Sequence, residues 1–180
     1  NRIDFVTISS TGNAQDFGDL NNATLLQGAC SSRTRGLAAG AYPSASNVID
    51  FVTISSTGNA QDFGDRTTAQ YNLAGFGNQT RGIFAGGHSP TGTNIIDFVT
   101  ISQTGNAIDF GDLSQVGHGP RGIASPTRGL IGGNSNNTNV IDFVTIATTG
   151  DAKDFGDLIR GAHNHGSASN SIRGLFGGGS

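Results

Sequence analysis

Twelve of the thirteen acidic side chains stand in one fixed register, and carboxylates in register are where chemistry is to be sought first. Asp4, Asp50, Asp97 and Asp142 are followed twelve positions later by Asp16, Asp62, Asp109 and Asp154. Three positions further stand Asp19, Asp65, Asp112 and Asp157. Sixteen residues on come Arg35, Arg81, Arg128 and Arg173, each before a glycine. Oxygen ligands at regular spacing beside Asn and Gly are the material of calcium sites. This spacing matches neither the EF-hand loop nor the nonapeptide calcium repeat. Turn formation, with ion pairing to the four arginines, accounts for the aspartates with fewer assumptions. Paired carboxylates also hydrolyse glycosides, but such a pair is asymmetric, with separated pKa values; four equivalent copies make scaffold. No catalytic residue, resident metal or cofactor is expected.

The tetrapeptide "DFGD" invites comparison with the metal-binding motif of protein kinases. That motif works only with a glycine-rich loop, a lysine-bearing strand and an HRD loop, and the chain has none of them. Binding chemistry is better sought where the register carries different letters. Six residues after the last aspartate of each copy stand Leu25, Tyr71, His118 and His163; eight after stand Gln27, Leu73, Pro120 and His165. His118, His163 and His165 could converge on a metal or an anion, yet three histidines without a carboxylate or cysteine pattern are a weak metal signal. The reading favoured is a mixed set of side chains filling a narrow channel. The loops Ala41–Asn47, His88–Asn94 and Asn134–Asn139 also vary. They are rich in Ser, Thr, Asn and Gly, carry Tyr42 and His88, and suit adaptable hydrogen bonding to polar partners such as glycans.

Elements of one repeating unit must position these groups. Successive first aspartates are 46, 47 and 45 residues apart, and only the stretch from each arginine to the next first aspartate varies, at 15, 16 and 14 residues. Each unit reads as four short strands. These are "IDFVTI", "AQDFGDL" after an "STGN" turn, a weak glycine-rich piece such as Leu25–Ser32 or Tyr71–Asn78, and a strand of the "RGLAAG" type. In "IDFVTI" both faces are largely apolar, so each small sheet is expected to be covered on both sides. Four strands per unit of about 46 residues, each sheet sandwiched by its neighbours, predict an all-β protein of the β-propeller type over residues 1–180.

The order of features resembles that of kelch repeats: a glycine doublet closing one strand, a loop, an aromatic and acidic strand, a turn, and a final aromatic strand. The doublets are Gly86–Gly87, Gly132–Gly133 and Gly177–Gly178, with Ala39–Gly40 in the first copy. Phe17, Phe63, Phe110 and Phe155 stand near the position of the kelch tryptophan. The phrase "TGNAxDFGDL" is also similar to repeats in predicted tail-fibre and virion proteins of marine phages. That resemblance implies a virion or extracellular location. It also implies contacts with other virion proteins or with a host-surface glycan or protein.

Composition trims the remaining classes. A net charge of −3 gives no basic footprint for nucleic acid, and no apolar run is long enough for membrane insertion as a helix. Cys30 is alone, so no internal disulfide forms. A chain that opens on Asn1 and has no methionine is expected to be a processed product or a stretch of something longer. Asn1 occupies the position of Asn47, Asn94 and Asn139, so the terminal strands are expected to complete one mixed blade. A closed four-bladed ring is the simplest outcome and part of a larger ring the alternative, with homo-oligomerisation open. The function expected is non-enzymatic: a structural and recognition propeller, most simply a phage tail-fibre or virion module. A secreted or surface lectin-like carbohydrate binder is the alternative.

Overall fold

The computed structural model describes residues 1–180 and is built entirely of antiparallel strands and their connections. At the N-terminus β1 (Arg2–Phe5) pairs with β2 (Gln15–Asp19) as a two-stranded sheet. Three four-stranded sheets follow, each in chain order. The first holds β3 (Gly28–Ser31), β4 (Arg35–Ala39), β5 (Ser46–Thr53) and β6 (Gln61–Gln70). The second holds β7 (Ala74–Gly77), β8 (Arg81–Ala85), β9 (Thr93–Thr100) and β10 (Ile108–Gly117). The third holds β11 (Arg121–Ala124), β12 (Arg128–Asn134), β13 (Thr138–Thr145) and β14 (Lys153–Asp157). A second two-stranded sheet, β15 (Gly166–Ser169) with β16 (Gly174–Gly177), ends the array.

The expected mixed blade is therefore not formed within the chain. β1–β2 has the sequence of the outer half of a sheet and β15–β16 that of the inner half, but the two stand as separate sheets. Only the three internal units have all four strands.

Local chemistry explains the repeated letters. In every unit the glycine of "DFGD" pairs with the isoleucine before the first aspartate, while the aspartate of "DFGD" pairs with that first aspartate. The phenylalanine between them is an extra residue, a β-bulge. The bulge is held by its own aspartate: Asp62 Oδ1 accepts from Gly64 N at 3.0 Å, and Asp154 Oδ1 accepts from Gly156 N at 3.0 Å. The bulged Phe17, Phe63 and Phe110 are buried, and each meets its partner from "IDFVTI" edge to face. The hairpins joining β3 to β4 and its equivalents are closed by side-chain turns. Ser32 Oγ, Asn78 Oδ1, Ser125 Oγ and Asn170 Oδ1 each accept from the backbone N–H of the following arginine.

The apolar residues assemble two cores between successive four-stranded sheets. One joins Leu37, Phe51 and Phe63 of the first sheet to Phe84, Val99 and Ile101 of the second. The other joins Phe76, Ile83, Phe98 and Phe110 of the second sheet to Ile131, Val144 and Ile146 of the third. Because Ile83 and Phe84 leave β8 on opposite faces, the second sheet is buried on both sides. The close approach of neighbouring units requires glycine at one repeated point. A Cβ at Gly64 (φ +141°) would lie 2.5 Å from the Gly105 carbonyl, and Gly18 and Gly111 meet Gly58 and Gly150 in the same way.

Candidate functional site

The four units are joined along one line by a chain of left-handed residues. Leu26, Asn72, Gly119 and Asn164, one per unit, have φ of 60°, 54°, 74° and 56°. Asn72 N donates to Leu26 O at 2.7 Å, Gly119 N to Asn72 O at 2.8 Å, and Asn164 N to Gly119 O at 2.9 Å. The residue before each of these makes a backbone bridge to the loop that follows the unit's glycine-rich strand. Leu25 bridges Tyr42, and Tyr71 bridges His88. Ser135 N donates to His118 O, and His163 and Ser180 exchange both backbone bonds. The fold thus collects onto one line the positions at which the units carry different letters.

Side chains on this line form a run of rings. Tyr42 meets Tyr71 at 5.1 Å between centroids, Tyr71 meets His88 at 5.1 Å, and His88 meets His118 edge-on at 4.7 Å. Asn72 Nδ2 donates to His118 Nδ1 at 3.2 Å, which leaves the His118 proton on Nε2. Burial holds the His118 pKa below the usual imidazole value, reinforced by His88 and then His163, so its ring is neutral near pH 7. His163 lies beside Ser180, whose Oγ is 3.5 Å from Nε2. Asn72 Oδ1, His88 Nδ1 and His163 Nδ1 have no protein hydrogen-bond partner. No three of the His, Cys, Asp and Glu side chains converge as ligands for a metal ion. A half-exposed tier of rings beside amide and imidazole groups can stack on flat apolar faces and hydrogen-bond at its edges.

His165, grouped with His118 and His163 by spacing, lies elsewhere. Its side chain turns into the packing of the third sheet against β16, where Nε2 is 3.1 Å from Gly132 O and the ring meets Phe176 at 5.3 Å. It is 3% exposed, and that burial, offset in part by the Gly132 bond, lowers its pKa.

The repeat-linked charges also differ from the pairing expected of them. Arg35, Arg81 and Arg128 lie over Phe51, Phe98 and Phe143 of their own sheets at 4.7, 4.4 and 4.8 Å. Arg35 and Arg81 then donate to the Ile101 and Ile146 carbonyls of the next sheet. Strand register separates each arginine from the aspartate of its own sheet: Asp50 pairs with Ala38, three residues along β4 from Arg35. The first aspartates reach instead to the preceding unit. Asp50 accepts from Asn21, Asp97 from Arg66 and Thr67, and Asp142 from both the N–H and the hydroxyl of Ser114. Asp4 pairs with Arg2 at the surface, and Arg173 is exposed.

Sequence reasoning missed Arg66 and Asn72. Each had a signal: Arg66 stands where the other units have Leu20, Leu113 and Leu158, and Asn72 shares its register with Gly119 and Asn164, residue types that favour left-handed backbone. Burial pushes the Cys30 thiol up to about 12, against a weaker opposing bond to Ile83, which keeps it protonated near neutral pH. No protein-family model matches the chain, and none of the curated proteins matches it.

Proposed function

We propose that the chain is a non-enzymatic recognition module, an array of propeller-type blades that presents the line Tyr42–Tyr71–His88–His118 to a carbohydrate on a host surface. The propeller reading is supported by the stacking of successive four-stranded sheets, with β3, β7, β11 and β15 meeting in order along one edge. The single observation that carries the recognition reading is the run of rings at 5.1, 5.1 and 4.7 Å. The symmetric scaffold puts its non-identical residues there, and aromatic faces beside Asn and His suit sugar rings. A phage tail-fibre or virion module, acting in the virion or outside the cell, is the context we propose from the resemblance of "TGNAxDFGDL". The same rings would serve a secreted lectin, and association with purified particles separates the two contexts.

The test is binding of the wild-type chain and of Tyr71→Ala to immobilised bacterial polysaccharides and an oligosaccharide array. Saturable binding that weakens at least about tenfold in Tyr71→Ala is expected, the effect of losing about 1.4 kcal/mol of ring contact. Binding unaffected by Tyr71→Ala and Tyr42→Ala, or no glycan bound at all, would remove the carbohydrate reading.

A further inference from the structure

Each junction between neighbouring units is made by the same contacts, and the two ends of the array carry the complementary halves of one more junction. Three contact types recur inside the chain. The turn of each unit bonds the outer strand of the one before: Gly58 N donates to Phe17 O and Ala60 N to Asp19 O. The same pair recurs as Gly105 N to Phe63 O with Ala107 N to Asp65 O, and as Gly150 N to Phe110 O with Ala152 N to Asp112 O. Arg35 and Arg81 donate to an isoleucine carbonyl at the end of the next unit's long strand, Ile101 and Ile146. Asp50, Asp97 and Asp142 each accept from the residue two positions past the preceding "DFGD", namely Asn21, Thr67 and Ser114.

At the C-terminal end every donor and acceptor of this set is present without its mate. Phe155 is 50% exposed where Phe63 and Phe110 are 2%. Arg128 is exposed where Arg35 and Arg81 are half-buried, and a Cβ on Gly156 would touch nothing where Gly64 and Gly111 are crowded. At the N-terminal end the mates are exposed in turn: Ile8 is 97% exposed where Ile101 and Ile146 are 1% and 0%. The other faces match as well. Gly82, Gly129 and Gly174 are crowded by Cys30, Phe76 and Ile123 of the preceding inner strand, whereas Gly36 meets only Val52 of its own sheet. Gly36 opens instead onto an apolar groove of about 410 Å³, lined in part by Leu37, Ala29 and Phe51. A second groove, about 520 Å³, runs along Leu175 and Phe176 of β16.

We propose that this chain assembles head to tail with a second copy of itself, the β1–β2 hairpin of one molecule completing the β15–β16 sheet of the next. The internal sheets set the register. Arg35 pairs with Thr53 and Leu37 with Phe51, so Arg173 pairs with Thr7 and Leu175 with Phe5 of the second copy. One rigid placement then brings Gly12 and Ala14 to the carbonyls of Phe155 and Asp157, Arg128 to the Ile8 carbonyl, and Asp4 to the Ile159 N–H. It also lays Ala168 over Gly36, in the place Cys30 takes over Gly82. The occupant proposed is a second copy, because its β1–β2 sheet is an outer hairpin of this repeat with no inner strands of its own. In the structure the chain's own hairpin is held at the opposite end, by the bonds from Gly58 and Ala60. The contact is heterologous, so it closes into a ring or continues as a fibre. Two copies supply eight sheets, within the range in which propellers close. Asn164 O then meets Leu26 N, which carries the line of left-handed residues into the next molecule.

The test joins mass with cross-linking. By light scattering the wild-type chain is expected at a whole multiple, two or more, of 18.3 kDa. Ile8→Lys, at a side chain free in the single molecule, is expected to shift that mass to one chain without loss of strand signal by circular dichroism. On a Cys30→Ser background, Thr7→Cys and Arg173→Cys proteins are mixed under oxidation. These positions face each other without a hydrogen bond between them, where strands lie closest. A disulfide adduct of one of each is expected from the mixture. Three outcomes would overturn the proposal: a wild-type mass of one chain, an unchanged mass in Ile8→Lys, or no adduct from the mixture while a single chain carrying both Thr7→Cys and Arg173→Cys forms the disulfide internally. The last would mean that the array closes on itself.

Discussion

Arg66 Nε donates to Asp97 Oδ2 at 2.8 Å with both side chains fully withdrawn from solvent, while Arg66 Nη1 and Nη2 find no partner. Burial lowers the Arg66 pKa, and Asp97, by charge and hydrogen bond, opposes that. A buried ion pair with unmet donors is a costly way to fill space. The other units fill the equivalent space with leucine.

The two partners should therefore respond unequally to substitution. Asp97→Ala strands a buried guanidinium and is expected to cost about 3–5 kcal/mol. Arg66→Leu restores the repeat's leucine and removes the unmet guanidinium donors, but leaves the buried Asp97 carboxylate with Thr67 alone; it is expected to cost about 1–3 kcal/mol, less than Asp97→Ala. Urea denaturation of both variants checks this, and equal losses would contradict it.

Phe98 packs between the second and third sheets, under Arg81 and edge-on to Phe110. Phe98→Ala is expected to destabilise by about 3–5 kcal/mol, the usual range for emptying an aromatic site in a core. Phe51→Ala, in the other core, should fall in the same range. Melting temperatures within a degree of wild type would show that these rings are not core.

Arg81 both covers Phe98 and donates to Ile146 O at 2.8 Å. Its loss in Arg81→Ala combines a charge-assisted bond worth about 1.5–3 kcal/mol with a cation–π contact of about 0.5–1 kcal/mol. Arg128 has the ring contact but no carbonyl partner, so Arg128→Ala in the dispersed chain should lose only the smaller part. Chemical denaturation of the two variants at low protein concentration measures the difference.

His118 and His165 both have folded pKa values below the ordinary 6.5. The unfolded chain therefore binds more protons than the folded one once the pH falls to that region. Stability should be fully present above about pH 6.5 and decline as the pH drops below it. His165→Gln keeps a donor for Gly132 O but cannot titrate, so its melting temperature should fall less between pH 7 and pH 5 than that of the wild type. A parallel decline in the two proteins would rule out His165 as a source of the slope.

Widening the narrowest crossing should also be costly. In Gly64→Ala the new methyl meets the Gly105 carbonyl at 2.5 Å from a left-handed backbone. Overpacking of that kind costs about 1–3 kcal/mol, with backbone strain added. Thermal denaturation reads the sum, and a neutral result would mean that neighbouring units do not approach at this point.

Much of the fold was legible in the chain because its causes are local. The 46-, 47- and 45-residue steps, the β-branched "IDFVTI" and the turn letters fix strand type and order with no long-range information. The aspartate and glycine of "DFGD" set the bulge within three residues. Tyr42, Tyr71, His88, His118 and His163 could be picked out as the asymmetric positions, though not their arrangement as one continuous line. Only the tertiary structure decided which unit each charge reaches. Arg35 and Asp50 are close in sequence, yet their partners Ile101 and Asn21 lie 66 and 29 residues away in adjoining units. It also decided that His165 turns into the core while His118 stays on the line, and that β1–β2 and β15–β16 remain separate sheets. Spacing along a strand fixes which face a side chain takes; the stacking of sheets, set by contacts distant in sequence, decides what that face meets.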